Sequence, residues 1–232
     1  PGETYTPYVH GTPGDEVVLQ NRSWAEVAGI SLARLHQTLA NYENQDGFPV
    51  FDLFHEVSTY AWPVVQSYAS EKLHRRLHDL GETISTQLVN PYEALPRQLI
   101  HRDFHPGNLV FQDERLVGIL DFDRVRIGIR LFDLCYLSTA VLSSIFSDLN
   151  RREEWPGFLL DLIRGYGTVM PLEKTEGYVF LYIAYLIQLL FVAYQLDAGD
   201  TKGADLNLGI LFWIFDQQEH LQPLIDKAVT TS

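Results

Sequence analysis

The polar run His101-Arg102-Asp103-Phe104-His105-Pro106-Gly107-Asn108 concentrates side chains able to move a proton or hold a cation, and the acidic motifs Asp121-Phe122-Asp123 and Asp133-Leu134-Cys135 follow it. Short apolar stretches at 109–112 and 116–120, separated by Asp113-Glu114-Arg115, read as two strands and a turn. Asn108 stands just before the first strand and Asp121 just after the second. The two ends of an antiparallel hairpin lie side by side, so Asn108 and Asp121 are expected to be neighbours. An amide oxygen beside a carboxylate makes a pair of hard ligands suited to Mg2+. Asp103, upstream of Asn108 in the same loop, can hang over that point as an acceptor for a substrate proton.

Several other groupings invite chemistry and have plainer readings. His101, Asp103 and His105 alternate as the ligands of a metal-dependent hydrolase would, but Pro106-Gly107 breaks a strand there and no further cluster of histidine ligands follows. His74 and His78 have helical spacing without an intervening Glu, amid Arg75 and Arg76, which fits a solvated face. Arg151-Arg152-Glu153-Glu154 reads as an exposed, self-paired charge run. Asp197, Asp200, Asp205 and Glu219 are open either as amine contacts or as solvated surface. Cys135 is the single cysteine and lies in an apolar run, so it reads as a small buried hydrophobe. One thiol excludes an intramolecular disulfide and a multi-cysteine zinc site, and it is compatible with a reducing, cytoplasmic setting.

These loops need rigid neighbours. The spacing predicts a helix over 25–42, opened by a capping box at Ser23-Trp24-Ala25-Glu26. Pro63 suits the first turn of a second helix that runs to about Leu80, with Gly81 as its stop. A further helical piece at 82–89 ends before Pro91. At 98–100 the texture changes to a short strand, and after the hairpin the chain reads as loop to Arg130. Helices are then expected at 131–146, 155–167, 174–198 and 204–221. The expected fold class is α+β and mostly helical, with a small β-hairpin embedded in it.

Composition narrows the partners. The chain has 232 residues, 46% hydrophobic and 20% charged, with 17 Lys+Arg against 30 Asp+Glu and a net charge of −13. That excludes a disordered chain. It also argues against nucleic acid and anionic membranes, both of which are held by basic residues, and for cationic partners such as metal ions or amines. Residues 178–196 carry no charge and approach the length that spans a bilayer. Gln188, Gln195 and four tyrosines interrupt that stretch and no basic cluster flanks it, so a buried central helix is expected.

The form His101-Arg-Asp-Phe-His-Pro-Gly-Asn108, with Leu-Asp121-Phe-Asp123 and Phe-Asp133-Leu, resembles the aminoglycoside phosphotransferase and choline kinase-like family of the protein-kinase-like fold. Asp123 stands where protein kinases would carry a glycine. Ser31-Leu-Ala-Arg-Leu-His36 resembles the helix that follows the hinge in that family. The resemblance implies a small-molecule kinase that uses Mg2+ and ATP or GTP and acts on a hydroxyl group. It makes Asp103 the catalytic base and places Asn108 and Asp121 on the metal. Asp123 either assists a second metal or orients the loop, and His101 and Asp133 support the catalytic loop. The acidic surface favours a cationic acceptor such as an aminoglycoside or another amino alcohol; homoserine, sugar and macrolide acceptors stay open.

The same resemblance divides the chain. Residues 1–15 look like a hinge-like extended segment, and 16–232 like a helical C-terminal lobe with its catalytic loop at 101–108 and metal-binding segment at 121–123. No glycine before residue 101 forms a phosphate loop, and no Lys precedes Lys72. The expectation is therefore a C-terminal lobe without its N-terminal partner, binding nucleotide weakly and turning over slowly. A kinase-like binding module without catalysis is the alternative.

Overall fold

The computed structural model describes residues 9–18, 23–113 and 115–231. The first part of the expected hinge segment (1–8) and Glu114 of the hairpin turn lie outside the described residues. In chain order the elements are β1 (Thr12–Pro13), α1 (Gly14–Val18), α2 (Trp24–Ala40), α3 (Leu53–Glu56), a π turn (Val57–Ala61), α4 (Trp62–Tyr68), α5 (Glu71–Gln87) and α6 (Val89–Glu93). They continue with β2 (Arg97–Ile100), β3 (Leu109–Gln112), β4 (Arg115–Ile119), β5 (Arg126–Ile129), α7 (Leu131–Ile145), α8 (Leu149–Gly167), α9 (Lys174–Asp197), α10 (Thr201–Asp216) and α11 (Gln218–Thr230). Helices dominate and the strands form two small antiparallel sheets, β1-β3-β4 and β2-β5. This is the α+β, mostly helical class that the sequence indicates.

The core is built around α9, which packs against α7, α10 and α11. Its residues Val179 to Leu190 are buried without interruption. Among the described residues it is the helix long and apolar enough to cross a membrane, and 78% of its most apolar stretch is buried inside the protein. A helix apolar on every face is what the centre of a helical body requires. Cys135 is buried on α7, with its Sγ 3.5 Å from Phe180 O, and burial pushes its thiol pKa well up.

A second seam joins α2 to α8. A Cβ on Gly29 would collide with Leu162 O, and one on Gly165 with Glu26 O. Only glycine lets the two backbones approach so closely. That contact sets His36 of α2 beside Tyr166 of α8.

Several local expectations give way to tertiary context. Ser23 has helical backbone angles (φ −60°, ψ −24°) and makes no capping bond, so the expected capping box does not form. Gly81 does not end a helix: α5 runs through it, and the ring of Trp62 lies where a side chain at 81 would stand. The helix containing Pro63 stops at Tyr68, and Ser70 caps α5 by accepting from Leu73 N. Helix α8 starts at Leu149, capped by Asp148, and keeps Pro156 inside it. The last expected helix is two, α10 and α11. The loop expected between Asp121 and Arg130 contains β5, paired with β2 from Arg97↔Ile129 to Ile100↔Arg126. Arg152 is not simply exposed: its guanidinium lies over Phe146 and Trp213, at 5.1 and 5.5 Å.

Candidate active site

The 101–108 loop leaves the end of β2 and returns into β3. β5 runs antiparallel to β2 and leads into α7, so the first turn of α7 passes beneath the start of the loop. There Asp133 is fully buried. One carboxylate oxygen accepts from His101 N at 2.7 Å and the other from Arg102 N at 2.8 Å. His36 Nε2 lies 2.9 Å from the first of these oxygens, and His36 Nδ1 lies 2.9 Å from Tyr166 Oη. An N–H on Nε2 satisfies the carboxylate, and Nδ1 then accepts from the tyrosine. Arg102 has a positive φ of 64°, a strained state for a residue with a side chain, and the Asp133 carboxylate holds its N–H there.

His101 closes the loop from inside. Its Nδ1 accepts from Asp103 N at 3.2 Å, so the ring proton sits on Nε2, which donates to Leu120 O at 2.9 Å. Burial lowers its pKa, against the pull of Asp133 and the other acids nearby. The ring is thus neutral and ties the loop to the far end of the hairpin.

Asp103 and Asn108 are held together. Asn108 Nδ2 donates to Asp103 O at 2.9 Å and to Asp103 Oδ2 at 3.2 Å. The other Asp103 oxygen accepts from Tyr136 Oη at 3.3 Å and lies 3.8 Å from His105 Nε2. His105 Nδ1 accepts from Gly107 N, which puts its proton on the nitrogen facing Asp103. Burial first, then the Asp103 charge, pushes the Tyr136 pKa up, so Tyr136 stays protonated and donates.

The hairpin does bring its two ends together. Leu109 pairs with Ile119, and Leu120 N donates to Asn108 O at 2.8 Å. Asp121 follows directly, exposed and in the left-handed region at φ 59°. Asp123 is exposed on the short 3-10 turn Phe122–Arg124. Because the Asn108 NH2 is committed to Asp103, its amide oxygen is the end left to act as a ligand, on a backbone one residue from that of Asp121 across the hairpin end. That donor set fits a divalent cation carried on phosphate oxygens, which needs only one or two protein carboxylates. No cluster of three or more His, Cys, Asp or Glu able to hold a metal occurs among the described residues, so an all-protein metal cage is not what these residues form.

Two chambers flank Tyr136 and Phe191, whose rings stack at 5.3 Å. The first, about 160 Å³, is lined by Arg102, Asp103, Arg124 and Tyr194 among others. The second, about 270 Å³, is lined by Asp15, His105, Gln188, Gln195 and Asn207 among others. Of the carboxylates left open as amine contacts, Asp197 accepts from Tyr60 Oη, Asp205 from Tyr68 Oη, and Asp200 caps α10.

The sequence reading missed Tyr136 and gave His36 no role. Tyr136 had a usable signal: it lies one helical turn beyond Asp133, on the same face. His36 had none, because its partners are 97 and 130 residues away.

Residues 3–178 match the sequence profile of the phosphotransferase enzyme family, APH. The chain belongs to that family. Two curated relatives of this chain are homoserine kinases. The one from Methylocella silvestris is 30% identical over 114 residues, 46% of this chain and 33% of its own. The one from Phenylobacterium zucineum is 25% identical over 168 residues, 71% of this chain and 48% of its own. The chain thus spans half or less of the length of these relatives.

Solved structures share its fold. A choline/ethanolamine kinase family protein from Mesorhizobium loti aligns with a TM-score of 0.67 at 19% identity, over 98% of this chain and 73% of its own. The GDP complex of aminoglycoside 2'-phosphotransferase-IIIa gives 0.64 at 16%, over 91% and 69%. A microcompartment-associated aminopropanol kinase gives 0.64 at 18%, over 87% and 64%. The described residues form the helical, C-terminal lobe of this kinase-like fold.

Proposed function

We propose that this phosphotransferase moves the γ-phosphoryl group of ATP or GTP to a hydroxyl of a small amino alcohol. The observation that carries the reading is the Asn108 amide, whose NH2 is bound to Asp103. It locks a proton acceptor and a metal-ligating oxygen into one unit at the mouth of the hairpin.

In this reading Asp103 is the base. The acceptor O–H gives its proton to the Asp103 carboxylate while its oxygen forms a bond to the γ-phosphorus. The bond from that phosphorus to the bridging oxygen breaks, and the nucleoside diphosphate leaves. Mg2+ neutralises the phosphate charge when bound, and Asn108 and Asp121 would hold it, with Asp123 assisting or orienting the turn. His101 and Asp133 position the loop. His105 and Tyr136 present N–H and O–H groups to Asp103 and hold its carboxylate in place. Support comes from the relatives, which are kinases of small molecules by name, and from the nucleotide complex of a fold neighbour.

A phosphate-covering loop and a strand Lys paired to a helix Glu are not found among the described residues. The chain alone is therefore expected to turn over below the ~1 s⁻¹ of ordinary kinases. The test incubates it for hours with ATP or GTP, Mg2+ and a panel of hydroxyl compounds, and reads phosphorylated acceptor by mass spectrometry. The Asp103→Ala variant should lose on the order of 10²–10⁴-fold with its melting temperature retained. Equal product from wild type and variant, including none from either, would overturn the reading in favour of a binding module.

A further inference from the structure

A groove bounded by the start of α5, the second half of α10 and the junction of α7 with α8 has the opposite sign from the rest of the protein. Its volume of about 430 Å³ falls in the ~300–1,000 Å³ range of small-molecule pockets. Lys72, Arg76 and Arg152 line it against one acid, Asp216, in a chain of net charge −13. Asp216 is already taken, because Arg76 Nη2 donates to it at 2.5 Å. The lining therefore keeps an excess of two positive charges. The Arg76 guanidinium lies over Phe212 at 4.2 Å, and that of Arg152 over Phe146 and Trp213 at 5.1 and 5.5 Å. A ring beneath a guanidinium holds it by the π face and uses none of its N–H donors. Arg152 has little else to bind. Among the described residues its one ion-pair contact is Glu153 Oε1, 4.0 Å from Nε and on a side chain 69% exposed. Arg152 itself is only 21% exposed, so it has lost most of its water without gaining an acceptor. Lys72 is exposed and has no ion pair among the described residues.

We propose that this groove is a binding site for a small organic dianion, a phosphate monoester or a dicarboxylate, held by Arg152 and Lys72. The arginine fork matches either oxyanion through two parallel N–H bonds, and the lysine adds a point charge. A monoanion would leave one of the two excess charges unmatched. Leu73, Leu208 and Phe212 supply apolar surface for the body of the ligand. The groove shares no lining residue with the two chambers beside Tyr136 and Phe191, and its sign repels a cationic acceptor. The assignment therefore stands independently of the kinase reading.

The test is calorimetric titration of the 232-residue chain, without Mg2+ or nucleotide, with phenyl phosphate, succinate and benzoate. At least one of the two dianions should saturate with a dissociation constant on the order of 0.1–1 mM, about tenfold below that of benzoate, and the tighter one names the source. Lys72→Met and Arg152→Met should each weaken that binding about tenfold. Asp216→Asn removes the acid and frees Arg76, so it should tighten the binding several-fold. Raising the salt from about 0.05 to about 0.3 M should weaken it in wild type, because the groove is open to solvent. Melting curves establish that each variant is folded. Lys72 and Asp216 are exposed, so those two variants suffice if Arg152→Met, which uncovers Phe146 and Trp213, does not fold. No saturation by either dianion, benzoate bound as tightly, affinity unchanged in folded Lys72→Met, weaker binding in Asp216→Asn, or insensitivity to salt would overturn the proposal.

Discussion

Asp133 is the residue whose removal tests the architecture of the site most directly. Three donors converge on its fully buried carboxylate: His101 N at 2.7 Å, Arg102 N at 2.8 Å and His36 Nε2 at 2.9 Å. Asp133→Ala leaves all three without an acceptor. Each buried, unsatisfied donor costs about 1–3 kcal/mol, and hydrogen bonds to a charged acceptor lie toward the upper end. Water admitted by the smaller side chain offsets part of this for the half-buried Arg102. The expected loss is about 4 kcal/mol out of a total stability of ~5–15. For a chain of this size that corresponds to a melting temperature lower by about 8–16 °C. Asp133→Asn keeps one accepting oxygen and should cost about half as much. Differential scanning calorimetry and urea unfolding read both. A fall of less than about 3 °C for Asp133→Ala would refute the view that this carboxylate holds the loop.

Two further outcomes follow from buried charge and from the neutral histidine. Glu176 is fully buried and accepts from Arg130 Nε at 2.8 Å and from its own cap residue, Glu173 N, at 2.8 Å. Glu176→Leu strands the Arg130 charge and should cost about 3–5 kcal/mol, whereas adding Arg130→Met should restore part of it; urea midpoints check this, and a double variant worse than the single one would contradict it. His101 has a folded pKa below its usual 6.5, so the unfolded chain takes up the proton first. Its contribution is complete above about pH 6.5 and is lost as pH falls below that value toward the lower folded pKa. Wild type should lose more stability between pH 7.5 and 5 than His101→Gln, and equal slopes would count against the neutral assignment.

The sequence by itself determined what depends on near neighbours. The spacing from Asp103 to Asn108, and the two apolar runs that bring Asn108 back to Asp121, are local features, and the pairing of the hairpin's two ends follows from them, whereas the register shift between Val110 and Phe111 does not. The length and apolarity of 178–196 likewise marked the central helix, because a helix buried on every face needs no distant partner to be recognised. Tertiary structure decided the rest. Strand β5 is four residues, Arg126-Ile-Gly-Ile129, too short to show a period, and it becomes a strand because β2 lies beside it. Gly81 reads locally as a helix stop, yet α5 continues through it, and a glycine stands there because the Trp62 ring takes the space a side chain would need. Gln188 shows in the sequence as a polar break in the apolar run, but that its buried oxygen lacks a partner shows only in the packed fold. The grip on the 101–108 loop joins His36, Asp133 and Tyr166 from three helices. No sequence period encodes that meeting, because it is fixed by the close crossing of Gly29 and Gly165, which only the packed fold brings about.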